Sequence, residues 1–476
     1  MAYRYGDRYQ IQMLPTSIED YVADDDPVRA YDAFVETLDL DKLGIICDEN
    51  KVGSPGYDPK AMVKLLVYGY SYGLRSSRKL ERGVYHNISF IWLLGGLKPD
   101  HKTIARFRKD NREALKNILK QCAQLCIRLN LIEGNTLFVD GSKIRGNAGI
   151  QNTWTAARCE KHLKHIDKRI EQILRECEAI DTREADSGSL IKLEEQLKDS
   201  HVLKAKVEAI MGELGEKERA SKNTTDADCI KFKSRQGSHA GYNGQIVVDE
   251  KHGLIVSSDV VNQSTDINQF AVQIDNANSN LGKKCTTACA DAGYADTEEL
   301  KKIDDQGITV VVPSQKQAAH HEKSNPFTKE YFTYDAQKDN YTCPQGHELS
   351  YQRVCPIKNH RVYQITNKEL CLTCEHFGIC TNSKNGRRIR RLMNEEIKKK
   401  LEEQYKQESS QEIYKLRKQK IELVFGHIKR NLGVNAFLMR GLEGVGAEMS
   451  LLASCFNVTR MINIMGVRGF IGAVTG

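Results

Sequence analysis

The chain has 476 residues, 40% hydrophobic and 28% charged, with 70 Lys+Arg against 63 Asp+Glu. The length calls for two to four domains, and the +7 balance permits a polyanionic partner without demanding one. No apolar run approaches the ~20 residues of a membrane span, and Met1 to Gln12 lacks a signal peptide's basic-then-apolar form, so a cytoplasmic protein with no membrane partner is expected. In that compartment the 14 cysteines are core thiols or metal ligands rather than a disulfide framework.

Residues 1–131 read as a helical domain. Val28, Tyr31, Phe34, Val35 and Leu38 keep helical spacing. Gly53 to Tyr57 reads as a loop, and Asp58-Pro59 is an N-cap with proline at the first helical position. Further helices open at Ser76, Asn87 and Pro99. Arg75, Arg78, Lys79, Arg82, Lys102, Arg106, Arg108 and Lys109 cluster on these short helices, which suits a helix-turn-helix-like DNA-binding module.

Leu137-Phe138-Val139 then forms a short apolar strand ending at Asp140-Gly141. Residues 157–223 leave the sheet as an antiparallel helical hairpin, its seam running through Ile166, Ile170, Ile173, Cys177 and Ile180, then Leu203, Val207, Ile210 and Leu214, with a break at Thr182 to Ser189. Strands resume at Tyr242–Asp249 and Leu254–Val261 around a turn at Glu250 to Gly253. A helix is expected from Asp266 to Ala277. Small residues then run into Asp291, with Gly293 behind it; Asp296 caps a helix, and Gly307 to Val312 is a last strand. Two aspartates at the ends of core strands of one mixed sheet form a stronger signal than either alone.

A third acid lies on a helical pattern from Ile413 to Leu432. Ile421, Val424, Phe425, Ile428 and Leu432 form its apolar stripe, and Lys418, Glu422 and Lys429 line one edge. Asp140, Asp291 and Glu422 could together hold two Mg²⁺ (or Mn²⁺) ions ~4 Å apart, the arrangement that neutralises both oxygens of an in-line phosphoryl transfer. Lys429 and Arg430 would face the phosphate backbone.

Residues 315–406 form a polar, turn-rich insertion. Cys343, Cys371, Cys374 and Cys380, with His347 and Cys355 as alternatives, suit a tetrahedral Zn²⁺. A basic run at Lys384, Arg387, Arg388, Arg390 and Arg391 follows and is expected to contact DNA backbone.

Val139-Asp140-Gly141, Ala290-Asp291-Ala292-Gly293-Tyr294 and Glu422-Leu423-Val424-Phe425-Gly426-His427-Ile428-Lys429, in that order, resemble the DDE-type transposases of bacterial insertion sequences. The resemblance covers nearly the whole chain. It implies an α/β RNase H-like catalytic core made of residues 132–156, 224–314 and 407–466, an N-terminal all-α DNA-binding domain, and the hairpin and zinc-type insertions. It implies that Asp140, Asp291 and Glu422 are the metal-binding triad for DNA cleavage and strand transfer. The implied partners are double-stranded DNA, both element terminal inverted repeats and target, with a homo-oligomer assembled on it at the nucleoid. The family's signature spaces Tyr, Arg, Glu and Lys so that Glu422 and Lys429 fit. Tyr414 and Arg417 stand one residue too far from Glu422, and Lys418 occupies the arginine position. A DNA nuclease without strand transfer, and a catalytically inactive DNA-binding protein, remain as alternatives.

Overall fold

The computed structural model describes residues 17–45, 56–181, 187–216, 221–234, 237–318, 327–356 and 359–476. Of the expected loop at Gly53 to Tyr57, residues 53–55 lie outside the described residues, as do 182–186 of the expected hairpin break, while Ser187 to Ser189 of that break already belong to a helix. In chain order come α1 (Pro27–Glu36), α2 (Leu40–Leu43), α3 (Pro59–Ser71), α4 (Ser77–His86), α5 (Ile88–Leu93), α6 (His101–Asp110) and α7 (Arg112–Arg128). Then follow β1 (Thr136–Arg145), β2 (Thr153–Trp154), α8 (Ala156–Asp181), α9 (Ser187–Glu216), β3 (Lys222–Asn223), β4 (Ile230–Ser234), β5 (Gly237–Asp249), β6 (Ile255–Val261) and α10 (Phe270–Leu281). Next are β7 (Thr287–Cys289), α11 (Thr297–Asp304), β8 (Thr309–Val311), α12 (Gln315–Ala318), β9 (Thr333–Asp335), β10 (Asn340–Thr342), β11 (Glu348–Cys355), β12 (His360–Ile365), α13 (Glu369–Leu372) and β13 (Arg388–Leu392). The chain closes with α14 (Glu395–Lys406), α15 (Glu408–Gly426), α16 (Gly441–Met465) and α17 (Val467–Thr475). The fold class is mixed α/β.

The chain divides into two compact units. One holds the residues up to Asp266, Val272–Cys285 and everything from Leu416; the other holds Ile267–Ala271 and Thr286–Lys415.

In the first unit the helix starts follow from their caps. Asp26 accepts from Val28 N (2.8 Å) ahead of Pro27, Asp58 accepts from Lys60 N (2.9 Å) ahead of Pro59, and Asp100 accepts from Thr103 N (2.6 Å). The core helix is α16, buried along nearly its whole length and packed on α7, α3 and β6. It is apolar because it is enclosed. Among the described residues no single helix is long and apolar enough to cross a membrane.

Strand β5 organises the sheet of this unit. One edge pairs antiparallel with β1 from Leu137↔Asp249 to Arg145↔Gly241, and the other pairs with β4 and then β6. The β5–β6 turn uses Gly253 at φ +67°. The expected strand 137–139 therefore extends to Arg145, and Asp140 sits in mid-strand rather than at a strand end. The cause is non-local: thirteen-residue β5 carries the ladder past Gly141. Helices α8 and α9 form the expected hairpin, whose core is Cys159, Ile166, Val207 and Leu214.

In the second unit β7 and β8 pair in parallel, with α11 as the crossover between them. A five-stranded antiparallel sheet, in the order β13-β12-β11-β10-β9, carries a separate core of Phe332, Tyr341, Leu349, Tyr363, Ile365 and Ile389.

Candidate active site

Asp140 is half-buried on β1, opposite Ile246 of β5. Its Oδ1 accepts the Gly141 N–H at 2.9 Å, and its Oδ2 lies 3.8 Å from Arg417 Nη1. Two residues on, Ser142 Oγ accepts from Lys429 Nζ at 2.6 Å. Burial lowers the Lys429 pKa, and the Asp140 carboxylate opposes that shift. The ammonium also stands 5.9 Å from the Phe425 ring centroid. Asp140, Arg417 and Lys429 thus come together although the first and last are nearly 290 residues apart in the chain.

On the other face of β1 and β5 from Asp140 lies a polar cluster that sequence reasoning missed. Asp266 Oδ1 accepts from Asn243 Nδ2 (2.6 Å) and Gln245 Nε2 (2.7 Å), and Lys143 Nζ approaches Asp266 at 3.3 Å. The available signal was Asn243 and Gln245 themselves, two amides in the middle of a strand and both fully buried. Buried amides need partners, so they predict a polar residue facing them.

Glu422 is exposed and lines a cavity of about 530 Å³ with Arg430, His427, Asn431, Phe456 and Arg460. The His427 ring meets Phe456 edge-on at 5.3 Å, and burial pushes its pKa below the usual histidine range. Helix α15 ends one residue before His427, and His427–Asn431 form a π-helical turn in place of the uninterrupted helix expected to Leu432. A π turn shifts the side chains beyond it around the axis and is frequent at functional sites.

Lys418 is exposed on α15. Tyr414 is half-buried, its ring packed edge-on against Tyr405 at 5.3 Å. In the N-terminal helices Arg106 is exposed, as are Arg78, Lys79, Arg82, Lys102 and Lys109 on α4 and α6. Arg108, expected among the DNA contacts, is buried: Nη1 donates to Tyr70 Oη and to the Arg75 carbonyl, both at 2.8 Å. Arg75 is buried too, on Glu448. Both arginines serve the core of the unit.

In the second unit Asp291 follows β7 at its C-terminal end and caps a single turn, Ala292–Tyr294, with Oδ1 accepting from Gly293 N at 2.7 Å. The loop between a parallel strand and its crossover helix is where open α/β sheets place reactive groups.

Cys343, Cys371 and Cys380 pack on the aromatic core of the five-stranded sheet. Cys343 Sγ accepts from His347 N (3.3 Å) and Cys371 Sγ from Arg387 N (3.4 Å). Burial raises the Cys380 thiol; the nearby Arg387 opposes this, and Cys371, Cys343 and Cys374 add to it. Cys355 ends β11, about 24 Å along the strand from its start next to His347, which removes it as a co-ligand of Cys343. Among the described residues no three His, Cys, Asp or Glu side chains are gathered closely enough to hold a metal ion.

The basic run after the cysteines divides by burial. Arg387 donates to Cys380 O (2.6 Å) and Phe327 O (2.8 Å), and Arg391 stacks 3.8 Å from the Tyr334 ring centroid, so both belong to the sheet's own packing. Arg388 and Arg390 remain exposed on β13.

No curated protein matches the chain. Among solved structures it is similar to the piggyBac transposase synaptic complex with hairpin DNA, seen by cryo-EM, at 9% identity and a TM-score of 0.34, over 95% of this chain and 79% of that one. That likeness is too distant to carry an argument. Family models are informative: residues 16–110 match a transposase domain (DUF772), and residues 342–462 match a transposase DDE domain. The first match spans α1 to α6 and the second runs from β10 through α16, taking in Glu422 and Lys429, so the chain belongs to the DDE-type transposases.

Proposed function

We propose that the chain binds the ends of a mobile element of the bacterial insertion-sequence type and carries out metal-dependent DNA cleavage and strand transfer. In this reading Asp140, Asp291 and Glu422 are the acidic triad of an RNase H-like core. The observation that carries it is the approach of α15 to β1: the helix and turn that bear Glu422 bring Arg417 and Lys429 against the strand of Asp140.

In donor type the three carboxylates suit a hard divalent cation, although among the described residues they are not gathered into a metal-holding group. Asp140, Asp291 and Glu422 would hold Mg²⁺ or Mn²⁺, which supplies charge neutralisation at the attacking and leaving oxygens. The protein's own groups bind and orient the phosphodiester. Lys429, held against Ser142, presents a fixed positive charge, and Arg417 offers a planar fork for non-bridging oxygens. Lys418 and Arg430, both exposed, and Tyr414 extend that contact along the backbone, while Arg106 and its exposed neighbours on α4 and α6 engage duplex DNA. The protein acts as a homo-oligomer on paired ends, in the cytoplasm at the nucleoid.

A structural Zn²⁺ on Cys343, Cys371, Cys374 and Cys380 is part of the same proposal. Its support is the pair of backbone N–H groups aimed at Cys343 and Cys371 sulfurs, a pattern that suits thiolates. Metal analysis of the purified protein tests it: about one equivalent is expected, and less than half an equivalent removes the proposal.

The test of the chemistry uses element-end duplexes, intact and pre-cut with a free 3′-hydroxyl. Wild-type protein cleaves the first and joins the second to target DNA. Cleavage without joining would make the protein a nuclease only. Cleavage that survives Asp140→Asn, Asp291→Asn and Glu422→Gln would remove the triad.

A further inference from the structure

A second cavity, of about 370 Å³, opens at the end of β1 beyond Asp140. Four of its lining residues are basic: Lys143, Arg145, His239 and Lys429. Its other walls are Ile144, Phe232, Ser234, Val434 and Asn435, so no carboxylate lines it. Just outside it, Asp266 approaches Lys143 Nζ at 3.3 Å.

The fold builds this cavity deliberately. The β1–β5 register sets Arg145 opposite Gly241, and the β4–β5 register sets Phe232 opposite His239. Alternation along the strands then puts Lys143, Arg145, Phe232 and His239 on one face. Gly241 is required: a Cβ there would stand 2.2 Å from the Ile144 carbonyl oxygen and 2.7 Å from the Phe232 ring. The segment after the π turn closes the far side, with Phe437 N donating to Arg145 O at 2.9 Å.

Inside the cavity two basic groups are held together. Arg145 Nη2 lies 3.5 Å from His239 Nε2, which in turn meets Ser234 Oγ at 2.9 Å. Packing two lysines and an arginine around one hollow raises the local positive potential, and a polyanion relieves it. Lys143 and Arg145 lie three and five residues past Asp140, about 10 and 16 Å along the strand, and by the same alternation they stand on the opposite face of β1 from it. Lys429 belongs to both places, reaching Ser142 beside Asp140 and lining the cavity.

We propose that this cavity is a DNA-backbone site, linked to the place of Asp140 through Lys429, with Arg145, Lys143 and His239 as its contacts. The inference rests on the transposase reading above and adds residues that the reading did not include. The chemistry it names is the phosphodiester backbone, whether of an element end or of a target.

The test measures DNA affinity against KCl concentration for two duplexes of equal length, one an element end and one unrelated. The proteins are wild type, Arg145→Gln, Arg145→Lys and Asn435→Asp, each checked for folding by thermal melting. Arg145→Gln is expected to lower the slope of log Kd against log [KCl] by about 1, the contribution of one phosphate contact, while Arg145→Lys keeps it. Asn435 is exposed, so Asn435→Asp places a carboxylate at the wall without disturbing the core and should weaken binding about tenfold at low salt. An effect confined to the end duplex assigns the site to the element end, and one confined to the unrelated duplex assigns it to target. An unchanged slope on both duplexes in folded Arg145→Gln, or unchanged affinity in Asn435→Asp, overturns the proposal. Cleavage is scored separately: end cleavage with unchanged slopes sinks the cavity alone, and changed slopes without any cleavage sink the chemistry alone.

Discussion

Replacing Arg75 by alanine should cost the first unit about 3–5 kcal/mol, the penalty for leaving a buried charge without its partner. Arg75 Nη1 donates to Glu448 Oε1 at 2.8 Å, and its Nη2 donates to the Gly433 and Ala436 carbonyls at 3.0 and 3.1 Å. Glu448 is fully enclosed, and its Oε2 accepts from Leu438 N (2.8 Å) and Met439 N (2.9 Å). Burial already raises the Glu448 pKa, while those two N–H groups and Arg75 pull it down. Without Arg75 the pKa climbs further. A carboxyl whose folded pKa exceeds its unfolded value loses stability as pH rises through that interval, so the deficit of Arg75→Ala should be smaller at pH 5 than at pH 8. For a unit of this size the loss corresponds to about 4–7 °C in Tm, read by thermal melting. Arg75→Met with Glu448→Gln removes both charges and should recover more than half of the loss. A deficit that is the same at both pH values and not rescued by Glu448→Gln would refute the reasoning.

Asp140→Asn should lower end cleavage by at least about 10³-fold while leaving end binding within about threefold, measured by gel shift beside the cleavage assay. Burial lowers the Lys429 pKa and Asp140 opposes it; DNA affinity should therefore decline on going to alkaline pH, and Asp140→Asn should bring that decline to lower pH. Gly241→Ala should destabilise the unit by about 1–3 kcal/mol, because the atom 2.2 Å from the new Cβ is the Ile144 backbone carbonyl, which cannot yield as a side-chain tip would.

Features set by neighbours in the chain were legible. Asp58-Pro59 predicted the start of α3, Gly253 the β5–β6 turn, and the four-and-three spacing of Ile166, Ile170 and Ile173 the α8–α9 seam. Features set by distant partners were not. The extension of β1 to Arg145 depends on the length of β5, a hundred residues later. Arg108 looked like a surface cation because its acceptors, Tyr70 Oη and the Arg75 carbonyl, are 38 and 33 residues away. Among the candidate acids, Asp140 and Asp291 were visible through their glycine punctuation, whereas the placing of Lys429 relative to Glu422 depends on the π turn that follows α15.

The winding also explains the odd spacing in the Glu422 motif. On an α-helix, residues 417, 421, 424 and 428 fall on one stripe, and Ile421, Val424 and Ile428 are all buried. Arg417 is therefore the basic residue that the helix turns inward, and it meets Asp140; Lys418, a hundred degrees around, is exposed although the family spacing favours it. Glu422 and Lys429 are seven residues apart and would align on an uninterrupted helix. The π turn that begins at His427 breaks this alignment, so that Lys429 reaches Ser142 on β1 while Glu422 lines the cavity shared with Arg430. Spacing counted along the sequence names the residues of such a motif, but the phase of the helix decides which of them faces the sheet.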